Sequence, residues 1–442
     1  MTARLSAPVH AIALAGGRGI RALPLTLISA DYMRSKAAIS LLGKPLVEWV
    51  VRFLRNQGVT DYYVLANGRE NRTQIQEILR DGRRLGIEVR YSRARFDRYN
   101  TGSGEATLRC LEHWSLEGTA VVFPTDSVFD FDLAPMLARH LESGATVTVG
   151  TVPRSAAEAA GKYGVLVPDG DGRIESFAEK PPLDEARRLA QGGPLHTSAG
   201  IYMIDCVRLR AAAREPELRA LAAEELDWGG QLVPYLVAHG HRVQAFSIGS
   251  FGDLGNSRDY LATMRTLLAG GYPTLDELIE PPVNTPGGSR VHPSTLKKID
   301  PATGLTLEAM VEEGLVRIGP RVRIGRDVEI GLGVDLEDCD VGDNVDLGEG
   351  VWMRGVACGD HAIVGPWAQV VDTVLGTSAS VGSERGARTV LDGHCVLGDE
   401  ARVEAGVRLT GVEVFPRLTV HAGRGVPAGA RLTATGFQLR TA

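Results

Sequence analysis

The run Leu14-Ala15-Gly16-Gly17-Arg18-Gly19-Ile20-Arg21 places three glycines within four residues, directly behind the short apolar stretch Val9 to Leu14. The apolar stretch reads as a strand. The glycines let the chain turn tightly after it and bring backbone N–H groups up to an anion with no side chain in the way. Arg21 adds a planar cation whose fork suits phosphate oxygens, and Lys36 adds a second positive point downstream. The chemistry expected here is capture of a nucleotide triphosphate by Ala15, Gly16, Gly17 and Gly19, with Arg21 and Lys36 as charge partners. The spacing is neither the dinucleotide fingerprint G-x-G-x-x-G nor the P-loop, which ends in Gly-Lys-Ser/Thr, and a glycine-rich turn alone also fits a structural bend.

Five further constellations bear chemical groups. Thr125-Asp126 follows the apolar run Ala120–Phe123, where an acid can lean over a sheet edge into a cleft or simply cap a turn. Asp253 stands in Phe251-Gly252-Asp253-Leu254-Gly255-Asn256. Glu179-Lys180-Pro181 closes the stretch that begins at Ile174, with Tyr163-Gly164-Val165 upstream; the Glu-Lys pair reads either as a ligand-binding pair or as an exposed surface pair. Gly102-Ser103-Gly104-Glu105-Ala106 opens a helix in which Ser103 is a natural N-cap. Gly200 lies in Ser198-Ala199-Gly200-Ile201-Tyr202.

Taken together, these strings resemble the sugar-1-phosphate nucleotidylyltransferases, also called nucleotide-sugar pyrophosphorylases. Their usual pattern is roughly L-A-G-G-x-G-T-R-L-x-P-L-T, then P-K, G-K-P, I-x-x-F-x-E-K-P and W-x-D-V-G-T. The resemblance implies that Asp126 and Asp253 bind the catalytic Mg²⁺, a hard cation suited to two carboxylates, waters and phosphate oxygens. It assigns Glu179, Gly164 and Gly200 to the sugar, Lys180 to the sugar phosphate, and Gly102 and Ser103 to the nucleoside. It further implies in-line attack of a sugar-1-phosphate oxygen on the α-phosphate of an NTP, with Arg21, Lys36 and Lys180 offsetting charge. The departures are Ile20 for Thr, Ser35 for Pro, Phe251 for Trp, Asn256 for Thr and Thr125 for Gly. About five extra residues also stand between Thr26 and Lys36, within Ile28 to Arg34. No Gln between Ser92 and Thr101 is available to read the base, so base and sugar stay open, a cyclitol phosphate included. Two alternatives stand beside this reading. One is a catalytically silent regulatory homologue acting through protein–protein interaction. The other is a second, acyl-transferring activity based on His361 or His394.

The elements that must position these residues are legible as periods. Strand and helix alternate from Val9 to about Leu268, which predicts an α/β, Rossmann-like, mostly parallel sheet with ligands beyond the carboxyl ends of its strands. Tyr163–Val167 and Ile174–Ala178 read as a hairpin around Asp169-Gly170-Asp171-Gly172. From Gly270 to Gly304 prolines recur at 273, 281, 282, 286, 293 and 301, with Gly287-Gly288 among them, as in a linker. Then a six-residue beat begins: Ile318-Gly319, Ile324-Gly325 and Ile330-Gly331 in phase, with Val341, Leu347, Val364, Val370, Leu375, Val381 and Leu397 after slips in register. This is the mark of a hexapeptide β-helix, left-handed in relatives of the family. The expected domains are 1–269 (nucleotidyltransferase), 270–304 (linker) and 305–442 (β-helix).

Composition narrows the class. The chain has 442 residues, a net charge of -6 and 44% apolar residues, the balance of a multidomain globular protein with no general attraction to nucleic acid or anionic membrane. A local basic stretch, Arg80 to Arg98, reads as a solvated face. The five cysteines, Cys110, Cys206, Cys339, Cys358 and Cys395, form no C-x-x-C pair, so neither zinc nor a disulfide framework is signalled. Neither a signal-peptide core nor a membrane-length apolar run is evident, and cytoplasmic localisation is expected. The exposed ends of a β-helix point to a homo-oligomer.

Overall fold

The computed structural model describes residues 5–17, 19–29, 31–99, 101–279 and 288–439. Pro281, Pro282, Pro286 and Gly287 of the proline-rich stretch lie outside the described residues. The chain divides into two compact units, one comprising Met1–Gly17 with Val47–Phe251 and the other Arg18–Leu46 with Gly252–Ala442. The arm that carries Arg21 and Lys36 is therefore grouped with the C-terminal half of the chain.

The first unit is built on a mixed sheet. Thr119–Pro124, Val9–Ala15, Asp61–Ala66 and Glu88–Tyr91 run parallel in that spatial order. The first three read as near-continuous apolar runs because both faces are covered, whereas the edge strand Glu88–Tyr91 carries Glu88 and Arg90 and is only partly buried. Helix Leu46–Asn56 buries Trp49, Val50, Phe53 and Leu54. Beyond Thr119–Pro124 the sheet turns antiparallel through Leu195–Asp205, which also pairs with Val147–Arg154 and with the hairpin strand Val165–Pro168. The hairpin partner Ile174–Ala178 pairs as expected, with Gly172 at φ +77 in its turn. From Val9–Ala15 the chain first builds outward through Asp61–Ala66 and Glu88–Tyr91, then returns to the other side through Thr119–Pro124. The gap between Val9–Ala15 and Thr119–Pro124 is thus a topological switch point, where α/β sheets open a crevice for ligands.

The second unit is a β-helix of three parallel sheets. One sheet stacks Arg317–Ile318, Asp335–Glu337, Trp352–Arg354, Gln369–Val371, Val390–Asp392 and Arg408–Thr410 in register. Its inward column is Ile318, Leu336, Met353, Val370, Leu391 and Leu409, all buried. The column on the next sheet is Ile324, Val341, Cys358, Leu375, Leu397 and Val414. On this second sheet a glycine follows every column residue but Val414, and it has a steric cause: a Cβ on Gly325 would lie 2.7 Å from the carbonyl oxygen of Gly342 in the next coil. The slip between Val370 and Leu391 is a corner excursion, Ser383 to Arg388, closed by a bridge between Glu384 and Ala387.

Residues 288–304, read from composition as linker, take regular structure. Arg290–Val291 pairs in parallel with Arg323–Ile324, and Pro293–Leu296 is a short helix. The first coil would otherwise present an open sheet edge, and this segment covers it. At the far end Gly436–Leu439 folds back antiparallel on Ala430–Thr433. The arm 18–46 contains two 3-10 turns, Ile20–Ala22 and Lys36–Ala38, and a small hairpin, Leu27–Ser29 with Tyr32–Met33. The extra residues before Lys36 form that hairpin, with Ala30 outside the described residues.

Candidate functional site

In the first unit the candidate residues gather beyond the carboxyl ends of the central strands. Gly16 and Gly17 are exposed immediately after Ala15, whose carbonyl accepts hydrogen bonds from Asn71 Nδ2 and, at 3.4 Å, from Asn67 N. Across the switch point, Thr125 donates its backbone N–H and its hydroxyl to Leu14 O, each at 3.1 Å. This lock sets Asp126, half-buried, in the two-residue link between strands Thr119–Pro124 and Ser127–Asp130. Gly200 sits in the left-handed region at φ +72, at an irregularity in strand Leu195–Asp205, and faces the Pro124 ring. A Cβ there would lie 3.6 Å from Pro124 Cγ, so backbone conformation rather than space explains the glycine.

Glu179 occupies a cradle of glycines. A Cβ on Gly164 would lie 2.8 Å from Glu179 Oε2, and one on Gly229 would lie 2.5 Å from the same oxygen. Ser198 N donates to Gly164 O at 2.8 Å, tying the Gly164 and Gly200 strands together. Lys180 Nζ pairs with Glu179 Oε1 at 2.8 Å, both side chains being well exposed. As it stands, then, the pair takes the surface arrangement left open from the sequence. Lys180 also has φ +47 and precedes a proline, a left-handed backbone that a non-glycine residue rarely adopts and that clusters at functional sites.

The Gly102–Ser103 turn differs from its expectation. Gly102 is the N-cap and Ser103 is the first residue of helix Ser103–His113, so Ser103 is not the cap. Its N–H and hydroxyl both donate to Asp227 Oδ1, at 2.8 and 2.9 Å, and its oxygen accepts from Trp228 N at 3.1 Å. A Cβ on Gly102 or Gly104 would meet Leu226 O at 2.6 or 2.7 Å, so both glycines allow the close passage of that backbone. Asp227, Trp228 and Gly229 lie at a π-type turn, Trp228–Leu232, and Trp228 stacks on Tyr202 at 4.2 Å. No spacing signal pointed to them; the Trp-Gly-Gly string was the only local hint. Beside the same helix is a cavity of about 40 Å³ lined by Asn67, Ser92, Asp97, Glu105 and Arg109 among others. Burial holds the Glu105 carboxyl above the ordinary carboxylate range in spite of its pairing with Arg109.

In the second unit Gly19, at φ +69, is enclosed by its own arm: a Cβ would meet Thr26 Cγ2 at 2.7 Å and Lys36 Cγ at 3.2 Å. Thr26 Oγ1 donates to Gly19 O at 2.8 Å. Lys36 is half-buried and opens its 3-10 turn; Arg21 and Ile20 are exposed on theirs. Asp253 is half-buried and its Oδ1 accepts from Gly255 N at 2.9 Å. The preceding Gly252 is obligatory, since a Cβ would lie 2.5 Å from Thr263 Cγ2. Helix Ser257–Leu268 follows at once, capped by the Asn256 side chain. Asp126 in the first unit and Asp253 in the second each offer a carboxylate at a strand end, the kind of hard oxygen donor that suits Mg²⁺. Among the described residues no group of three or more His, Cys, Asp or Glu gathers as a metal cage.

Other groups are accounted for structurally. His394 is buried and its Nε2 bonds Ser257 Oγ at 2.9 Å, so it is neither a plain surface histidine nor an exposed acyl-transfer base; His361 is exposed. All five cysteines are buried and free, and burial pushes Cys206 and Cys339 up to about 12. The basic stretch is interlaced with acids, as in Arg84–Glu48 and Arg90–Glu88. No helix among the described residues is long and apolar enough to cross a membrane.

Comparison with known proteins accords with this arrangement. Residues 10–270 match the family described as Nucleotidyl transferase, and residues 301–424 match the GMPPB C-terminal domain. A UTP–glucose-1-phosphate uridylyltransferase of Synechocystis is 30% identical over 273 residues, covering 59% of this chain and 64% of the relative. A glucose-1-phosphate adenylyltransferase of Shewanella amazonensis is 30% identical over 284 residues, 60% of this chain and 62% of the relative. One of Cereibacter sphaeroides is 30% identical over 261 residues, 54% and 56% respectively. In each case the chain spans less than two thirds of the relative's length.

Proposed function

This chain belongs to the nucleotidyl transferase family, and from that membership we propose that it joins an NTP to a sugar-1-phosphate, releasing pyrophosphate and an NDP-sugar or NDP-cyclitol. The observation that carries the reading is the gathering, within one unit, of the Gly16-Gly17 turn, Asp126, Gly200 beside Pro124, the Gly102–Ser103 helix start and the Gly164–Glu179–Gly229 cradle on one sheet. A phosphate oxygen of the sugar phosphate, ionised at neutral pH, attacks the α-phosphorus. That P–O bond forms as the bond to the β-phosphate bridging oxygen breaks, and pyrophosphate departs with the electron pair. Such transfers need positioning and charge neutralisation more than covalent help.

The glycine turn and Arg21 hold the β and γ phosphates. Lys36 and Lys180 offset the charge of the two reacting phosphates, for which Lys180 exchanges its Glu179 partner for the substrate. Glu179 then accepts sugar hydroxyls, with Gly164 and Gly200 presenting backbone at the same wall and Gly102 and Ser103 packing against the nucleoside. Asp126 and Asp253 would hold Mg²⁺, which when bound supplies positive charge between the phosphates. The relatives are named for UTP and glucose-1-phosphate in one case and for adenylyl transfer to glucose-1-phosphate in the other, so glucose-1-phosphate heads the substrate panel. A cytoplasmic homo-oligomer, with exposed Trp352 and Ile363 on the outer faces of the β-helix, completes the proposal.

The test is pyrophosphate release with ATP, GTP, CTP, UTP and dTTP against a set of sugar-1-phosphates and cyclitol phosphates. One pair should turn over, and Lys36→Ala should lower that rate about 100-fold or more. Silence across the whole panel would sink the proposal in favour of a regulatory homologue.

A further inference from the structure

Resting on that functional reading, we propose that Arg34 and Asp399 are positioning residues: their ion pair fastens the Lys36 arm to the β-helix and so makes the β-helix part of the catalytic frame. Arg34 lies in the extra residues before Lys36, at the end of the small hairpin they form. Its backbone N–H donates to Thr26 O at 2.9 Å and its Nη1 to Leu25 O at 3.3 Å, which closes the hairpin on itself. Its guanidinium then reaches Asp399, Nη2 bonding Oδ2 and Nη1 lying 3.5 Å from Oδ1. Asp399 is held by its own neighbours, since Oδ1 also accepts from Thr377 N of the adjacent coil at 3.1 Å. The two side chains are only 20% and 10% exposed, so the pair is shielded from the screening that makes surface ion pairs weak.

Two more ties follow on the far side of Lys36. Tyr260 Oη donates to Ser40 O at 2.8 Å, and Leu42 N donates to Asp340 Oδ2 at 2.9 Å. Asp340 is itself buried against Arg323, at 2.7 Å. Lys36 thus stands between anchors at 34 and at 40–42, with Ala37 and Ile39 buried between them. Among its described residues the arm has no long helix or strand of its own, only 3-10 turns and short strand pairs. A cation that must meet a phosphate to within a fraction of an ångström needs a rigid support, and a misplacement of about 1 Å costs on the order of 100-fold in rate. The β-helix coils supply that support. Of the anchors, Arg34 is nearest in sequence to Lys36.

Asp399→Asn separates this role from general stability. The amide oxygen can still accept from Thr377 N, while the charge that holds Arg34 is gone. The expected result is a kcat lower by about 10- to 100-fold with each KM changed less than about threefold. Amide hydrogen exchange over residues 31–41 should rise about tenfold or more, with the flanking coils unchanged. Asp399→Glu should recover most of the rate, and Arg34→Gln should reproduce the loss from the other side, which covers the case of an Asp399 variant that does not fold. Unchanged exchange over 31–41 overturns the proposal whether or not turnover is seen, and so does faster exchange with an unchanged kcat. Wild-type protein that releases no pyrophosphate sinks the functional reading alone, because the exchange measurement still reports on the tether.

Discussion

A Cβ on Gly229 would sit 2.5 Å from Glu179 Oε2, and the atom it meets is the end of a flexible side chain. Gly229→Ala should therefore displace the carboxylate without disturbing the fold. The expected outcome is a KM for the sugar phosphate raised about tenfold, with thermal stability within about 1 kcal/mol of wild type. Gly164→Ala is different in kind, because its Cβ would also lie 2.4 Å from Phe177 Cζ. At another buried position, burial pushes the imidazole of His140 down to about 4, and its Nδ1 lies 2.9 Å from Thr148 Oγ1. The unfolded chain then binds a proton near pH 6.5 that the folded protein refuses until about pH 4. Stability from this group is complete above pH 6.5 and falls as the pH drops toward 4, by on the order of 3 kcal/mol. Denaturant midpoints measured between pH 7 and 4.5 should show this slope, and His140→Gln should flatten it. A proton held off by burial leaves no trace in local sequence, just as nothing in the spacing showed Asp227 bonding Ser103.

At the scale of elements, helix Ser257–Leu268 starts four residues after the proposed metal ligand Asp253, so loss of its cap is expected to reach that ligand through the short link between them. Asn256 Oδ1 accepts from the backbone N–H groups of Arg258 and Asp259, both at 3.0 Å. Asn256→Ala should cost about 1 kcal/mol of stability, read by denaturant titration, and should lower turnover more than that loss alone explains. The period of apolar residues marks this helix in the sequence, as it marks Leu46–Asn56 from its first residue. In one case the start is hidden: the sequence reads as a helix over Thr73–Leu79, and the structure begins it about a turn earlier, at Arg69. The buried residue in its first turn is Arg72, paired with Asp97 at 2.5 Å and bonded to Ala66 O at 2.8 Å. A buried charge with a distant partner looks polar to a hydrophobicity pattern, so the helix start was hidden. The hexapeptide coils were plain because an inward aliphatic recurs about every six residues, followed by glycine on most strands of two of the three sheets.

For the molecule as a whole, the arm 18–46 draws its order from residues beyond 252, within the unit it shares with the β-helix. A chain cut after residue 269 should keep the far-ultraviolet signature of the α/β sheet unit. It should release no pyrophosphate, and trypsin should cleave it at Arg34 and Lys36, sites that the full chain protects. Survival of activity in that fragment would show that the β-helix contributes nothing to the site.

The sequence by itself determined what local repetition can encode: periods of two, of about three and a half and of six residues, and the glycine turn behind the first strand. It also marked the carboxylates, lysines and glycines of the candidate site, because each stands in a short string whose chemistry is readable on its own. Only the tertiary structure decided which unit the Lys36 arm joins, that residues 288–304 close the first coil, and that glycines 164 and 229 crowd one carboxylate. The physical reason is distance along the chain. Arg34 meets a partner 365 residues away, and Leu42 one 298 residues away. Such pairs are selected by packing in three dimensions and leave no periodicity for a linear reading to find.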